Sequence, residues 1–384
     1  MTANFQKSFI AVHVGAGYHS IAMTDAYKEA CQNACLAGLA KLDAGEHALE
    51  GAAAAVAVLE DDQITNAGTG SNLNLHGNVE CDASIMDGER LLFGAVGALS
   101  GVKNPISVAK EVVKEQIKGQ MSLGRVPPSV LVGNGALKWA CDHDIGVVSG
   151  SDMISQKALS AYRKHKQRLM EVEQEARLSA KRSKLDADIE DIVNTPENSL
   201  LESIISTPEE SLLDTVGVVC MDAKGNVCSA SSSGGIALKH PGRVGQTGIF
   251  GSGCWAQNGN TDTASVACCT TGCGEHLMRT LLAKECYDSL TGSDNASLAI
   301  STVFKNKFLE SPMLNGVKFK FGGALVVKCW GHDDVELVWA HTTKSMCIGY
   351  MMSGEKKGKT VMSRLSDTSV AGISLSVGGK HFHT

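Results

Sequence analysis

The stretch DTVGVVCMDAKGNVCSASSSGG, running from Asp214 to Gly235, decides how this chain folds. Val216 to Met221 is an uninterrupted apolar run, the pattern of a strand covered on both faces. Asp222-Ala223-Lys224-Gly225 carries turn chemistry, and Asn226 to Ser232 reads as the returning strand. With the turn near Gly225, Ser233 comes back beside Thr215. Thr215 therefore opens a buried strand, directly behind a segment of quite different texture.

If the Asp214–Thr215 bond is cut, Thr215 gains a free α-amine, whose ordinary pKa of about 7.7 to 8.0 leaves a neutral fraction near pH 7. That amine can take the proton of the same residue's hydroxyl, so one residue supplies nucleophile and base. Before cutting, the hydroxyl can attack the Asp214 carbonyl and give an ester that water resolves. Spacing alone leaves a plainer reading open, a β-former leading a strand. The neighbours favour chemistry. Ser233 can hydrogen-bond the threonine. Arg243, in the turn Pro241-Gly242-Arg243-Val244-Gly245, suits bidentate carboxylate recognition. Thr270-Thr271-Gly272-Cys273-Gly274-Glu275 leads into a helix and offers backbone N–H groups for an oxyanion.

Upstream, Ser151 to Leu213 contains no glycine. Lys, Arg, Glu, Ala and Leu dominate its first half, which predicts a solvated helix. An acidic stretch follows, with a short repeat beginning at Thr195-Pro196-Glu197 and again at Thr207-Pro208-Glu209. The expected organisation is residues 1–150 as the first part of one domain, 151–214 as a mobile charged insertion ending at the processing site, and 215–384 completing the same domain. Before the insertion, Ile10 to Val14 reads as a strand, Thr24 to Leu42 and Glu46 to Leu59 as helices, and Asn66 to Asn74 as a glycine- and amide-rich loop. Ala83 to Met86 and Leu91 to Val96 read as strands about a turn, and Asn104-Pro105 opens a helix. After the hairpin, the expectation is a helix from Gly274 to about Glu285 and strands at Gly323 to Lys328, Val335 to His341 and Ser369 to Leu375.

The 384 residues are 43% apolar and 20% charged, with a net charge of -6. That balance argues against nucleic-acid binding driven by bulk charge. No run reaches the roughly 18 to 20 apolar residues of a membrane helix. The N-terminal residues lack a signal-peptide pattern. The 13 cysteines include no C-x-x-C pair, which fits reduced, buried thiols in cytosol or nucleus. The histidines form no H-E-x-x-H or Cys/His cluster, so no metal is expected.

Taken together, His13-Val14-Gly15-Ala16-Gly17, Asn66-Ala67-Gly68-Thr69-Gly70-Ser71, Asp82-Ala83-Ser84-Ile85-Met86-Asp87-Gly88, Asn104-Pro105-Ile106, Asp214-Thr215-Val216-Gly217, Gly242-Arg243-Val244-Gly245 and Thr271-Gly272-Cys273-Gly274-Glu275 resemble, in order, the motifs of the plant-type asparaginase family of N-terminal-nucleophile hydrolases. Within that family the chain is most similar to the threonine aspartase branch (taspases). The resemblance implies an α+β fold, a four-layer αββα sandwich. It implies Thr215 as nucleophile, Ser233, Thr271, Gly272 and Asn66 around it, and Arg243 with Gly245, Gln246 and Gly274 as the substrate-binding set. It implies no cofactor, although in asparaginases the loop corresponding to 59–64 can hold sodium on carbonyl oxygens. Asparaginases usually carry aspartate where this chain has Gln246, and that aspartate grips the substrate's free amine. Without it, a peptide can continue through the aspartyl nitrogen, which points to an endopeptidase cutting after Asp. The branch further implies nuclear regulatory proteins as targets and pairing of αβ units. The basic segment Lys181-Arg182-Ser183-Lys184 would engage an import receptor, giving a nuclear and cytoplasmic enzyme with no membrane or direct nucleic-acid partner. The alternative within the same fold is an asparaginase or isoaspartyl dipeptidase.

Overall fold

A computed structural model describes residues 7–186, 214–330 and 334–383. The Thr-Pro repeat lies outside the described residues, and so do the side chains of Lys181 to Lys184. The chain opens with β1 (Phe9–Gly17), helices α1 (Thr24–Asp43) and α2 (Ala48–Asp61), strands β2 (Cys81–Asp87) and β3 (Leu92–Leu99), helix α3 (Pro105–Ile117), short β4 (Val130–Val132), α4 (Gly133–Asp142) and the long α5 (Gln156–Asp186). Beyond Asp214 come β5 (Val216–Met221), β6 (Val227–Ser233), β7 (Cys254–Gln257) and β8 (Ser265–Gly272). Helices α6 (Gly274–Thr280), α7 (Leu282–Thr291) and α8 (Ala296–Val303) follow, then β9 (Gly322–Trp330), β10 (Asp334–His341), β11 (Ser345–Met352), β12 (Lys359–Arg364) and β13 (Ser376–His383).

Two sheets result. One has eight strands in the order β12-β11-β1-β5-β6-β2-β3-β4, and the other five in the order β13-β10-β9-β8-β7. Every pair is antiparallel except β3 with β4. Helices α1 to α3 cover the outer face of the larger sheet and α7 and α8 that of the smaller, so the layers are helix, sheet, sheet, helix. The expected four-layer sandwich is the observed one.

The alternation along β5 explains its unbroken apolar run. Val216, Val218 and Cys220 pack toward the outer helices, while Val219 and Met221 pack into the space between the sheets. Each such fully buried side chain contributes about 1.5–3 kcal/mol. By the same alternation Thr215 falls on the inter-sheet face. No helix among the described residues is long and apolar enough to cross a membrane.

Three expectations need correction. The helix from Gly274 is broken at Leu281, whose φ of 47° lies in the left-handed region, so α6 and α7 are separate. Residues 369–375 form turns, and the last strand is Ser376–His383 instead. Its Gly378 reads as a breaker in sequence, yet a Cβ there would come 2.6 Å from the Trp339 ring, so the strand needs glycine to pass under the indole. Strands β4, β7, β8, β11 and β12 were not foreseen. In β11, Gly349 lets α1 approach, since a Cβ would lie 2.7 Å from Cys31 Cβ.

The first turns of the insertion are docked on the body. Met153 and Ala158 bury against Leu73, Val79 and Cys81, with Leu159 and Tyr162 packed around them. Lys157 Nζ donates to the Ile64 carbonyl at 2.8 Å, and Lys166 Nζ to that of Leu75 at 3.1 Å. Further along, α5 is largely exposed as far as its side chains are described.

Candidate active site

Strand β5 pairs with β6 in a register that sets Val216 opposite Ser232, one step in from Thr215 and Ser233. The Thr215 hydroxyl donates to Ser233 Oγ at 3.2 Å, and Ser233 Oγ also accepts from the Gly235 N–H at 3.0 Å. Gln246, in the turn after β6, donates from Nε2 to Thr215 Oγ1 at 3.0 Å. These groups line one narrow cavity together with Asn66, Arg243, Gly272 and Gly274. Its volume of about 10 Å³ is room for a single water and too small for a substrate.

Two amides hold the far wall. Asn66 and Asn72 both donate from Nδ2 to the Gly235 carbonyl at 2.9 Å, and Asn66 Oδ1 accepts from the Asn72 N–H at 2.9 Å. Gly234 fits against Asn66, where a Cβ would come 2.6 Å from Oδ1. Thr271 stands behind the wall. Its hydroxyl accepts from the Ala16 N–H at 3.0 Å and pins β8 to β1. Gly272, with φ of 133°, brings the backbone to the cavity edge.

Arg243 is held from one side. Its Nε and Nη2 donate to the two carboxylate oxygens of Glu275 at 2.9 and 2.7 Å, which holds the Glu275 carboxyl below its ordinary range against the opposing effect of burial. Glycines at 235, 245 and 274 surround the guanidinium. A Cβ at Gly235 or Gly245 would come 2.9 Å from Nη1, and one at Gly274 2.7 Å from Nη2. The fork used by Glu275 leaves the Nη1 edge for a second carboxylate. Asp82 fixes the loop, accepting from the N–H groups of Gly245 and Ala98, each at 2.8 Å.

Asp214 occupies a separate buried pocket. Strand β1 bulges between His13 and Ala16, and Gly15 at φ 122° makes room, because a Cβ would lie 2.6 Å from both Cα and Oδ1 of Asp214. His19 Nε2 stands 3.9 Å from Asp214 Oδ1, and its Nδ1 is 2.8 Å from Ser345 Oγ. Burial raises the Asp214 carboxyl, with His19 and Lys157 pulling the other way. Asp214 thus lies beside His19 and within electrostatic reach of Lys157, while Arg243 pairs with Glu275. Below the hairpin, Glu60 is fully buried, and its Oε1 accepts from Ser232 Oγ at 2.6 Å and Ile106 N–H at 3.0 Å. Burial pushes its carboxyl up to about 8.

The structure therefore brings together Thr215, Ser233, Asn66, Arg243, Gln246, Gly272 and Gly274 on one cavity. Gly245 supports Arg243, and Thr271 lies behind. Sequence reasoning missed His19, Asn72, Asp82, Lys157, Glu275 and Glu60 as parts of the site. Only long-range pairing assigns them, and the quoted motifs that contain Asp82 and Glu275 gave the nearest hint.

Several carbonyls of the 59–64 loop, where sodium would bind, already accept from the chain's own side chains. Thr65 Oγ1 donates to the Leu59 and Asp62 carbonyls at 2.7 and 3.0 Å, and Thr69 Oγ1 to that of Glu60 at 3.1 Å. Lys157 takes the Ile64 carbonyl, so a cation here would compete with the chain's own donors. His47, Asp87 and Glu89 cluster elsewhere, but the Arg90 guanidinium already lies among them, 2.8 Å from Asp87 Oδ2.

Layers and site together define the fold of an N-terminal-nucleophile hydrolase. The chain matches the asparaginase family over residues 6–362 and belongs to it, a family of hydrolases that need no cofactor. It is 34% identical to an isoaspartyl peptidase/L-asparaginase of Xenopus laevis over 72% of this chain and 74% of that protein. It is 32% identical to a putative isoaspartyl peptidase/L-asparaginase of Dictyostelium discoideum over 90% and 94%. With an isoaspartyl peptidase of Escherichia coli (strain K12) it shares 31% identity over 81% and 84%.

Proposed function

We propose that this enzyme cuts itself between Asp214 and Thr215 and then acts as a threonine endopeptidase that cleaves proteins after Asp. In the first step Thr215 Oγ1 bonds to the Asp214 carbonyl carbon, the C–N bond breaks, and the hydroxyl proton ends on the freed nitrogen. Water then adds to the ester carbon, and Oγ1 leaves with a proton. Thr215 now carries amine and hydroxyl together, and the amine serves as base for the next attack. The observation that carries the reading is the Thr215 hydroxyl, buried at the mouth of β5 and hydrogen-bonded by both Ser233 and Gln246. The buried Asp214 and the one-water cavity support a precursor that is inactive until cut.

Arg243 would bind the substrate's Asp side chain through its Nη1 edge. Gln246 is a neutral group where a free amine would want a carboxylate, and this favours substrates whose chain continues. Nuclear regulatory proteins as targets, import through Lys181 to Lys184 and a pair of αβ units belong to the same proposal. A second reading, isoaspartyl peptidase or asparaginase, is supported by the names of the relatives.

Intact mass and N-terminal sequencing of purified protein test the first step. Two pieces, one beginning at Thr215, are expected, and Thr215→Ala should remain whole. The cut enzyme is then offered an internal Leu-Asp-Gly peptide, asparagine and β-aspartyl dipeptides. Turnover of the last two alone would overturn the endopeptidase reading in favour of the second.

A further inference from the structure

We infer that Gln246 is a catalytic residue, its side-chain amide donating to the attacking oxygen of Thr215 and steadying the charge that oxygen carries as its proton leaves. The inference rests on Thr215 as the attacking residue and holds for either substrate class above.

Nε2 lies 3.0 Å from Oγ1, and Gln246 is 3% exposed. Glycines pass close to both the side-chain amide and the backbone of Gln246. A Cβ at Gly274 would come 2.9 Å from Oε1, and one at Gly253 2.7 Å from the Gln246 backbone oxygen. The Thr215 hydroxyl has one proton and two lone pairs. The proton points to Ser233 Oγ and one lone pair takes the amide N–H. An amide nitrogen donates and does not accept, so Gln246 cannot serve as base. It sets which way the oxygen faces and leaves the proton to be collected elsewhere, by the α-amine once that exists.

During attack the Oγ1–carbon bond forms, the O–H bond breaks, and the proton passes to the Thr215 amine and from there to the leaving nitrogen. A preorganised donor on Oγ1 gains strength over that interval. A carboxylate at this position would instead accept, compete for the hydroxyl proton, and favour the charged form of the amine. Arg243 is the charged side chain that shares the cavity lining among the described residues, and its partner Glu275 offsets it.

The test uses the full chain with Gln246→Ala and Gln246→Glu, and Thr215→Ala as control. Self-cutting is followed by intact mass, and cut material from prolonged incubation gives kcat and KM across pH. Gln246→Ala should slow self-cutting about 10- to 100-fold and lower kcat similarly, with KM within about threefold. Gln246→Glu, which keeps shape and a buried polar group, should be slower still. Its acid limb in kcat/KM should move up by about one pH unit, while the alanine variant's limb stays in place. A variant that melts like the parent yet never cuts is the extreme of the expected loss. Parental cutting in Gln246→Ala, or an unmoved acid limb in Gln246→Glu, would overturn the inference and leave Thr215 standing. Cutting of Thr215→Ala at the parental rate would instead remove the reading beneath it.

Discussion

Replacing Glu60 with glutamine should shift the protein's stability by an amount that grows in the variant's favour as pH rises. Glu60 is fully buried beneath the hairpin, with Oε1 bonded to Ser232 and Ile106 and Oε2 without a partner. Burial lifts its pKa from 4.5 to about 8. The folded pKa lies above the unfolded one, so stability from the bound proton is fully present below pH 4.5 and lost as pH rises through about 8. At about 1.4 kcal/mol for each pH unit, the folded state loses about 5 kcal/mol across that window, about 3 of it by pH 7. Glutamine stays neutral and keeps the acceptor, but sets an amide nitrogen where an oxygen lacked a partner, a cost of about 1–3 kcal/mol at every pH. The variant-minus-parent difference should therefore climb with a slope of about 1.4 kcal/mol per pH unit between about pH 5 and 8, starting negative and changing sign on the way. Urea unfolding on the Thr215→Ala background keeps the chain whole for a single transition. A difference that is flat with pH would refute the reasoning, because the carboxyl would then be titrating normally.

Gly274→Ala should push the Arg243 guanidinium aside, since the added Cβ would stand 2.7 Å from Nη2. Steady-state kinetics on an Asp-containing peptide should give a KM raised at least about tenfold, with kcat lowered as well because the same Cβ would stand 2.9 Å from Gln246 Oε1. Exchanging sodium for choline at constant ionic strength should leave the melting temperature within about 1 °C, and Thr65→Val should cost about 1–3 kcal/mol through the Leu59 and Asp62 carbonyls it abandons. A sodium-dependent rise of several degrees in the parent would count against that account.

The hairpin from Thr215 to Ser233 was legible because burial on two faces leaves an unbroken apolar run and Gly225 marks its turn. That register alone put Ser233 beside Thr215. Gln246 was legible only through the family resemblance, and its donation to Oγ1 was not, since it depends on how a turn 31 residues away folds back. His19 and Lys157 carried no local signal, because their importance arises from the burial of Asp214, whose charge both favour. Glycine misled in both directions. Gly349 and Gly378 sit inside strands because a helix or an indole passes close, whereas the break at Leu281 has no glycine to announce it.

The Thr215 hydroxyl acquires its two partners from different places, one across a sheet ladder and one from a turn beyond it. A chain with the wrong strand register, or with the turn unformed, has the same residues but not that trio. On the proposed chemistry, self-cutting then works as quality control. A molecule matures only after its own architecture has passed inspection, and a misfolded copy stays catalytically mute without any outside inhibitor.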